Sequence, residues 1–192
     1  MSARFFGFII LDSQITKGVL MKKYLLSLLF AAGFGANAFA VSVAGFEISP
    51  EFGFAAGKIK AETKEDSSIA IDSYGAFGRV WLGAFDLVVA PQVKYDFNKG
   101  DGAKFRNLQY GVSAGYNIGL IIARLTPYVG VNHSSFSDIF KDTTSYNAGL
   151  KLKFDLLPIS LGLLYTYQNP EFRGSTETQK MHNIQALIGL HF

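Results

Sequence analysis

Cysteine is absent from the 192 residues, which excludes a disulfide framework, a thiolate metal site and a lipid anchor on cysteine. Long apolar runs are missing too: nowhere between Val41 and Phe192 does one approach the ~20 residues of a membrane-spanning helix. Over the same stretch net charge is missing. Residues 1–40 carry Arg4, Lys17, Lys22 and Lys23 against Asp12 alone, so the chain's 18 basic and 15 acidic residues fall to 14 of each beyond Ala40. The formal charge of +3 belongs to the leader, and a nucleic-acid partner is not expected. Hydrophobic residues nonetheless make up 49% of the chain and mean hydropathy is +0.21. The chain is greasy without a helix to place in lipid.

The leader has the grammar of an export signal. From Met21 the run MKKYLLSLLFAAGFGANAFA opens with Lys22 and Lys23, continues apolar from Tyr24 to Phe34, and ends in Ala38-Phe39-Ala40 with small residues where a signal peptidase cuts. Cleavage is expected after Ala40. The apolar stretch is too short for a retained anchor, and residues 1–20 are superfluous to it, so that either Met21 is the true start or the head is unusually long.

What the mature part does have is alternation with period two, the mark of strands with one apolar face. In 107–118 Leu108, Tyr110, Val112, Ala114, Tyr116 and Ile118 alternate with Asn107, Gln109, Gly111, Ser113, Gly115 and Asn117. The first segment sets Phe46, Ile48, Phe52 and Phe54 against Glu47, Ser49, Glu51 and Gly53; the third, fifth, sixth and seventh, in 87–98, 124–132, 145–155 and 159–168, behave alike. The second, 70–82, is the weakest, since Phe77 and Trp81 share parity with Arg79. Long polar connections are expected at 61–69, 98–106, 134–144 and 169–178, and short ones at 83–86, 119–120 and 155–158. The last segment alternates Ile184, Ala186, Ile188, Leu190 and Phe192 with Gln185, Leu187, Gly189 and His191, and the chain stops on the aromatic.

A soluble sandwich alternates with the same period, but eight segments of roughly 10 residues, long loops on one side and short turns on the other, together with the export signal and the final aromatic strand, predict an all-β fold: a closed antiparallel eight-stranded transmembrane barrel over 41–192. Lipid offers the backbone no hydrogen-bond partner, so the sheet must close on itself. Apolar faces then point outward and polar faces inward, with Tyr and Phe near strand ends at the interfaces. Pro50, Pro91 and Pro127 fall inside strands and call for a bulge or a strand end.

Leu125-Thr126-Pro127-Tyr128-Val129-Gly130-Val131 resembles the TPYVG strand of small outer-membrane barrels related to the outer membrane protein A transmembrane domain and the opacity proteins. The resemblance implies eight strands with variable surface loops. The terminal Phe192 is similar to the signal read by the outer-membrane assembly machinery. With the chain ending at the eighth segment, tethering to the cell wall is not expected.

The leading expectation is a non-enzymatic outer-membrane protein without cofactor or metal, serving membrane integrity or surface contacts through its loops. Its partners would be lipid and lipopolysaccharide, the assembly machinery, and an extracellular ligand or host surface. Inward Glu47, Glu51, Asp96 and Asp155 would pair with Arg79, Lys94, Arg124, Lys151 and Lys153, leaving a polar but plugged lumen. A narrow porin-like channel is the alternative, because Gly111, Ser113, Gly115, Gly130, Gly149 and Gly162 leave space inside; general porins, however, have about twice as many strands. The third reading is lipid A deacylation by His133 and a neighbouring serine in His133-Ser134-Ser135. Against it, Phe136 stands where such enzymes carry asparagine, and carboxylates come only from Asp138 and Asp142 in the loop. His182 and His191 read as isolated, and Lys99-Gly100-Asp101-Gly102 as a turn.

Overall fold

The structure is a computed structural model and describes residues 41–43, 46–62, 68–100, 103–137 and 139–192. The leader and its expected cleavage site after Ala40 lie outside the described residues, as do Asp101 and Gly102 of the glycine-rich turn.

Eight long strands follow one another: β1 Phe46–Glu62, β2 Ser68–Ala84, β3 Leu87–Gly100, β4 Ala103–Tyr116, β5 Ala123–Phe136, β6 Thr143–Phe154, β7 Ile159–Gln168 and β8 Met181–His191. Each pairs antiparallel with its sequence neighbour, and β8 pairs with β1 from Met181↔Ala61 to His191↔Glu51, so the sheet closes. Two short pieces extend it: Val41–Val43 beside β1, and Ile118–Gly119 beside β5. Among the described residues no helix is long and apolar enough to cross a membrane, which says nothing about strands.

Burial follows the alternation. Phe54, Val89, Tyr110, Val129, Leu163 and Ile188 are exposed on the outside, while Glu51, Arg79, Asp96, Gln109, Lys151 and Gln185 are buried inside. This inversion of a soluble protein runs from the turn end through the middle of the barrel. At the loop end it reverses, with Ile59, Ala61, Ile71, Phe105, Phe136 and Met181 buried inside and Lys58, Lys60, Lys104 and Arg106 exposed outside. A strand that emerges from lipid meets water, and there the soluble arrangement becomes the favourable one.

The reversal accounts for the misplaced connections. The polar stretch 98–106 is not a loop: β3 and β4 remain paired through Lys99↔Lys104 to Gly100↔Ala103. Strand likewise takes up part of the segments expected at 61–69 and 134–144, since β1 runs to Glu62, β2 starts at Ser68, β5 runs to Phe136 and β6 starts at Thr143, whereas 169–180 is a true long loop. At the opposite end, Phe85 and Asp86 both take positive φ, 50° and 69°, making a two-residue hairpin turn of the type whose twist suits antiparallel strands. The expected 119–120 turn is longer, because Asn117 to Ile122 separates β4 from β5.

Pro91 and Pro127 stand beside gaps in pairing, Pro50 keeps its partner Val80, and the registers on either side show no bulge. The β2–β3 ladder lacks the two pairs between Arg79↔Gln92 and Leu82↔Val89, beside Pro91, and resumes in the same register. Beside Pro127 the ladder between β4 and β5 stops at Gly115↔Tyr128 and resumes at Ile118↔Leu125, with Thr126 Oγ1 donating to Asn117 Oδ1 across the gap at 2.7 Å. The Pro50 carbonyl accepts from the Phe192 N–H at 3.0 Å, so its missing donor faces the end of β8.

Candidate functional site

The inward face is organised around Glu51. Because Glu51 and Arg79 are register partners on β1 and β2, the guanidinium meets the carboxylate as a fork, Nε donating to Oε2 at 2.8 Å and Nη2 to Oε1 at 3.0 Å. Lys151 Nζ of β6 lies 2.8 Å from Oε2, Trp81 Nε1 donates to Oε2 at 2.7 Å, and Ser160 Oγ of β7 donates to Oε1 at 2.6 Å. Arg79 Nη1 donates to the Tyr128 hydroxyl of β5 at 3.1 Å. One carboxylate thus ties four strands together, and Arg79 adds a fifth.

Aromatic rings enclose the charges. The Arg79 guanidinium carbon lies 5.0 Å from the Phe77 ring centre, 4.9 Å from that of Trp81 and 5.2 Å from that of Tyr128, and Lys151 Nζ is 4.7 Å from the Trp81 ring. The parity shared by Phe77, Arg79 and Trp81, which weakens the second segment as a simple amphipathic strand, is this clasp. Gly149 makes room for it: a Cβ there would stand 2.5 Å from the Tyr128 hydroxyl and 2.8 Å from the Leu163 carbonyl oxygen.

Two further charged groups flank the clasp. Towards the turn end Glu47 holds Arg124 and, at 2.9 Å, Lys153, which also donates to Ser49 Oγ at 3.2 Å. Towards the loop end Lys94 lies 3.0 Å from Asp96 and donates to Gln185 Oε1 at 2.6 Å. Asp96 also accepts from Gln109 and Gln185 at 3.3 and 3.2 Å. Asp155 does not join them. β6 ends at Phe154, so the inward parity of Lys151 and Lys153 is not continued, and Asp155 stands exposed in the following turn with its N–H donating to the Ile122 carbonyl. The described lumen therefore carries Glu47, Glu51 and Asp96 against Arg79, Lys94, Arg124, Lys151 and Lys153, an excess of positive charge.

Above the charges comes a layer of neutral amides and hydroxyls, where Asn107 donates to Gln168 and Ser134 to Ser145. An apolar cap lies above that. Phe105, Phe136 and Phe140 pack at ring-centre distances of 5.3 to 6.0 Å, and Phe172 reaches Phe140 at 5.0 Å. The two loops that supply Phe140 and Phe172 are latched by a Phe140↔Phe172 bridge, by Lys141 to Glu171 at 2.7 Å, and by Arg173 donating to the carbonyls of Phe140 and Phe136. Below it, a cavity lined by Arg79, Gln92, Lys94, Gln109, Asn132 and Asn147 has a volume of about 20 Å³, room for roughly one water molecule. The amide layer and the cap escape a search for charges and are visible only as the reversed alternation.

The residues of the deacylation reading fall apart. Ser134 is buried inward, whereas His133 faces outward. Ser135 and His133 both reach Asp142, Ser135 Oγ donating to Oδ2 at 3.0 Å and His133 Nε2 lying 3.5 Å from the same oxygen. The carboxylate stands between serine and histidine, where a hydrolase needs the histidine in the middle. Slight desolvation works to raise the Asp142 pKa, but hydrogen bonds from Ser135, the Phe136 N–H and His133 outweigh it and hold the carboxyl below its usual range. Of the isolated histidines, His182 accepts or donates to the Tyr165 hydroxyl at 2.7 Å and lies 3.2 Å from Glu62 on the outside, and His191 is buried inward. Phe192 stacks on Phe52 at 5.5 Å on the outer surface.

No protein-family model matches the sequence, and no curated protein is similar to it. Among solved structures the chain is similar to Neisserial surface protein A (NspA), with a TM-score of 0.53 at 16% identity over 79% of this chain and 100% of that one. It is also similar to Ail, the attachment invasion locus protein of Yersinia pestis, solved with the heparin analogue sucrose octasulfate, with a TM-score of 0.46 at 16% identity over 78% and 100% of the two chains. A de novo designed transmembrane β-barrel gives 0.43 at 12% identity over 73% and 95%. The fold is that of a small outer-membrane β-barrel.

Proposed function

We infer that this chain is an integral outer-membrane protein with a sealed lumen, acting through its outer surface and loops in membrane integrity or surface contact, without catalysis or conduction. The observation that carries the reading is Glu51, whose carboxylate takes donors from β2, β6 and β7 across the barrel axis. Separating these groups would strand two buried cations, so a passage through this level is costly to open. The aromatic cap adds a second closure. Eight strands leave an interior narrow enough for side chains to fill.

In this reading the long loops face outward from the cell and the short turns face the periplasm, the usual disposition of such barrels. Catalysis is left out because Asp142 occupies the place between Ser135 and His133. Planar-bilayer recordings of the purified protein test the sealed lumen. The expected trace stays at baseline; a stable open level, which the five inward cations would make anion-selective, would overturn the reading.

A further inference from the structure

The outer face of β1 to β4 changes character abruptly. On β1 the outward positions run Phe46, Ile48, Pro50, Phe52, Phe54 and Ala56, all apolar, and the next two are Lys58 and Lys60. On β3 the apolar series ends at Phe97 and Lys99 follows; on β4 it ends at Leu108, and Arg106 and Lys104 follow. Such a β1 series, ten residue steps of strand inclined by about 45°, is close to the ~25 Å height of an outer-membrane apolar band. The cations therefore begin where the lipid tails end, at the level of headgroups.

Register gathers them. Lys58 is paired with Asp72, Asp72 with Lys99, and Lys99 with Lys104, while Arg106 is opposite Phe97. Among the described residues two carboxylates share this face: Asp72, 3.6 Å from Lys58, and Glu62, which is turned to Lys180 and His182 of the β8 side. Both pairs are solvent-exposed and weak, so most of the positive charge is available. The arc is one-sided. The outward positions of β5 to β7 beyond the apolar band hold no lysine or arginine among the described residues, and neither does the outward face of any strand at the turn end.

We propose that Lys58, Lys60, Lys99, Lys104 and Arg106 form a docking surface for the phosphate groups of an anionic glycolipid of the outer leaflet, lipid A in chemical class. The proposal rests on the membrane placement above, since only a barrel seated by its apolar band brings these side chains to headgroup level. Two features select lipid over a soluble polyanion. The side chains point sideways from the barrel wall, and the apolar band directly beneath continues the contact along the acyl chains. Each exposed cation near an anionic surface adds to the attraction, and several on one arc act together.

The test is lipid retention by the protein folded into phosphatidylcholine nanodiscs doped with bis-phosphorylated or dephosphorylated lipid A. The wild type is expected to prefer the phosphorylated form by at least about tenfold. The variant K58Q/K60Q/K99Q/K104Q/R106Q is expected to lose that preference, K99Q/K104Q to lose part of it, and the loop variant K141Q to keep it. All substitutions are on exposed side chains, and heat-modifiable gel migration checks that each variant still folds. Equal retention of the two lipids by the wild type, or an unchanged preference in the five-site variant, would overturn the proposal. So would a five-residue dependence seen with soluble sulfated polysaccharide and not with lipid, which would assign the arc to an extracellular polyanion. A conducting pore would refute the sealed lumen and leave this surface standing, so the two failures are distinguishable.

Discussion

Glu51 pairs with Arg79 and Lys151 at once, and its removal is not equivalent to the removal of either partner. Glu51→Gln leaves two buried cations without a counter-charge and is expected to destabilise the barrel by about 3–5 kcal/mol, whereas Arg79→Met leaves the Lys151–Glu51 pair intact and should cost clearly less. Urea unfolding followed by gel mobility measures both; equal losses would contradict the hub. At the rim, Asp142 is held below its ordinary value of 3.8. A depressed carboxyl contributes its contacts above the unfolded pKa and loses them as pH falls through the folded one. The Phe136 amide resonance should therefore titrate with a midpoint below 3.8, and a midpoint at or above it would show that the Asp142 contacts do not hold in solution. The inward charges were legible from parity alone, except Asp155, whose position depended on where β6 stopped. Trp81 and Phe77 were present in the pattern as a flaw, because an aromatic sharing a face with arginine looks like disorder until the guanidinium is seen among the rings.

At the scale of strands and turns, the eight segments and their order could be read because lipid imposes one polarity over a fixed height. Their ends could not, since beyond that height the same strand obeys the opposite rule: Lys104 and Arg106 look like loop, yet they are the wet side of β4 with Phe105 beneath. The β2–β3 turn lies within the short connection expected at 83–86, but its type was hidden. It lacks the Asn-Gly signal and places Phe85 and Asp86 at positive φ, a conformation that L residues resist. Asp86→Gly should relieve part of that strain and raise stability by about 1 kcal/mol, seen as a higher urea midpoint. A lowered midpoint would mean that the aspartate side chain contributes more than the backbone strain removes.

The whole molecule is an inside-out protein over its middle and an ordinary one at the loop end, and the change of sign fixes where the membrane lies. The interior holds buried ion pairs, the outer face over the middle is apolar, and Phe105, Phe136 and Phe140 pack together at the loop end. The chain's single tryptophan, Trp81, is 3% exposed and faces the lumen, while Phe54, 71% exposed, faces outward. The most direct measurement is fluorescence quenching by brominated phosphatidylcholine in bilayers, comparing the native chain with W81F/F54W. The expected result is weak quenching of Trp81 and strong quenching of the tryptophan at position 54; equal quenching of both, or the reverse order, would contradict the inverted barrel.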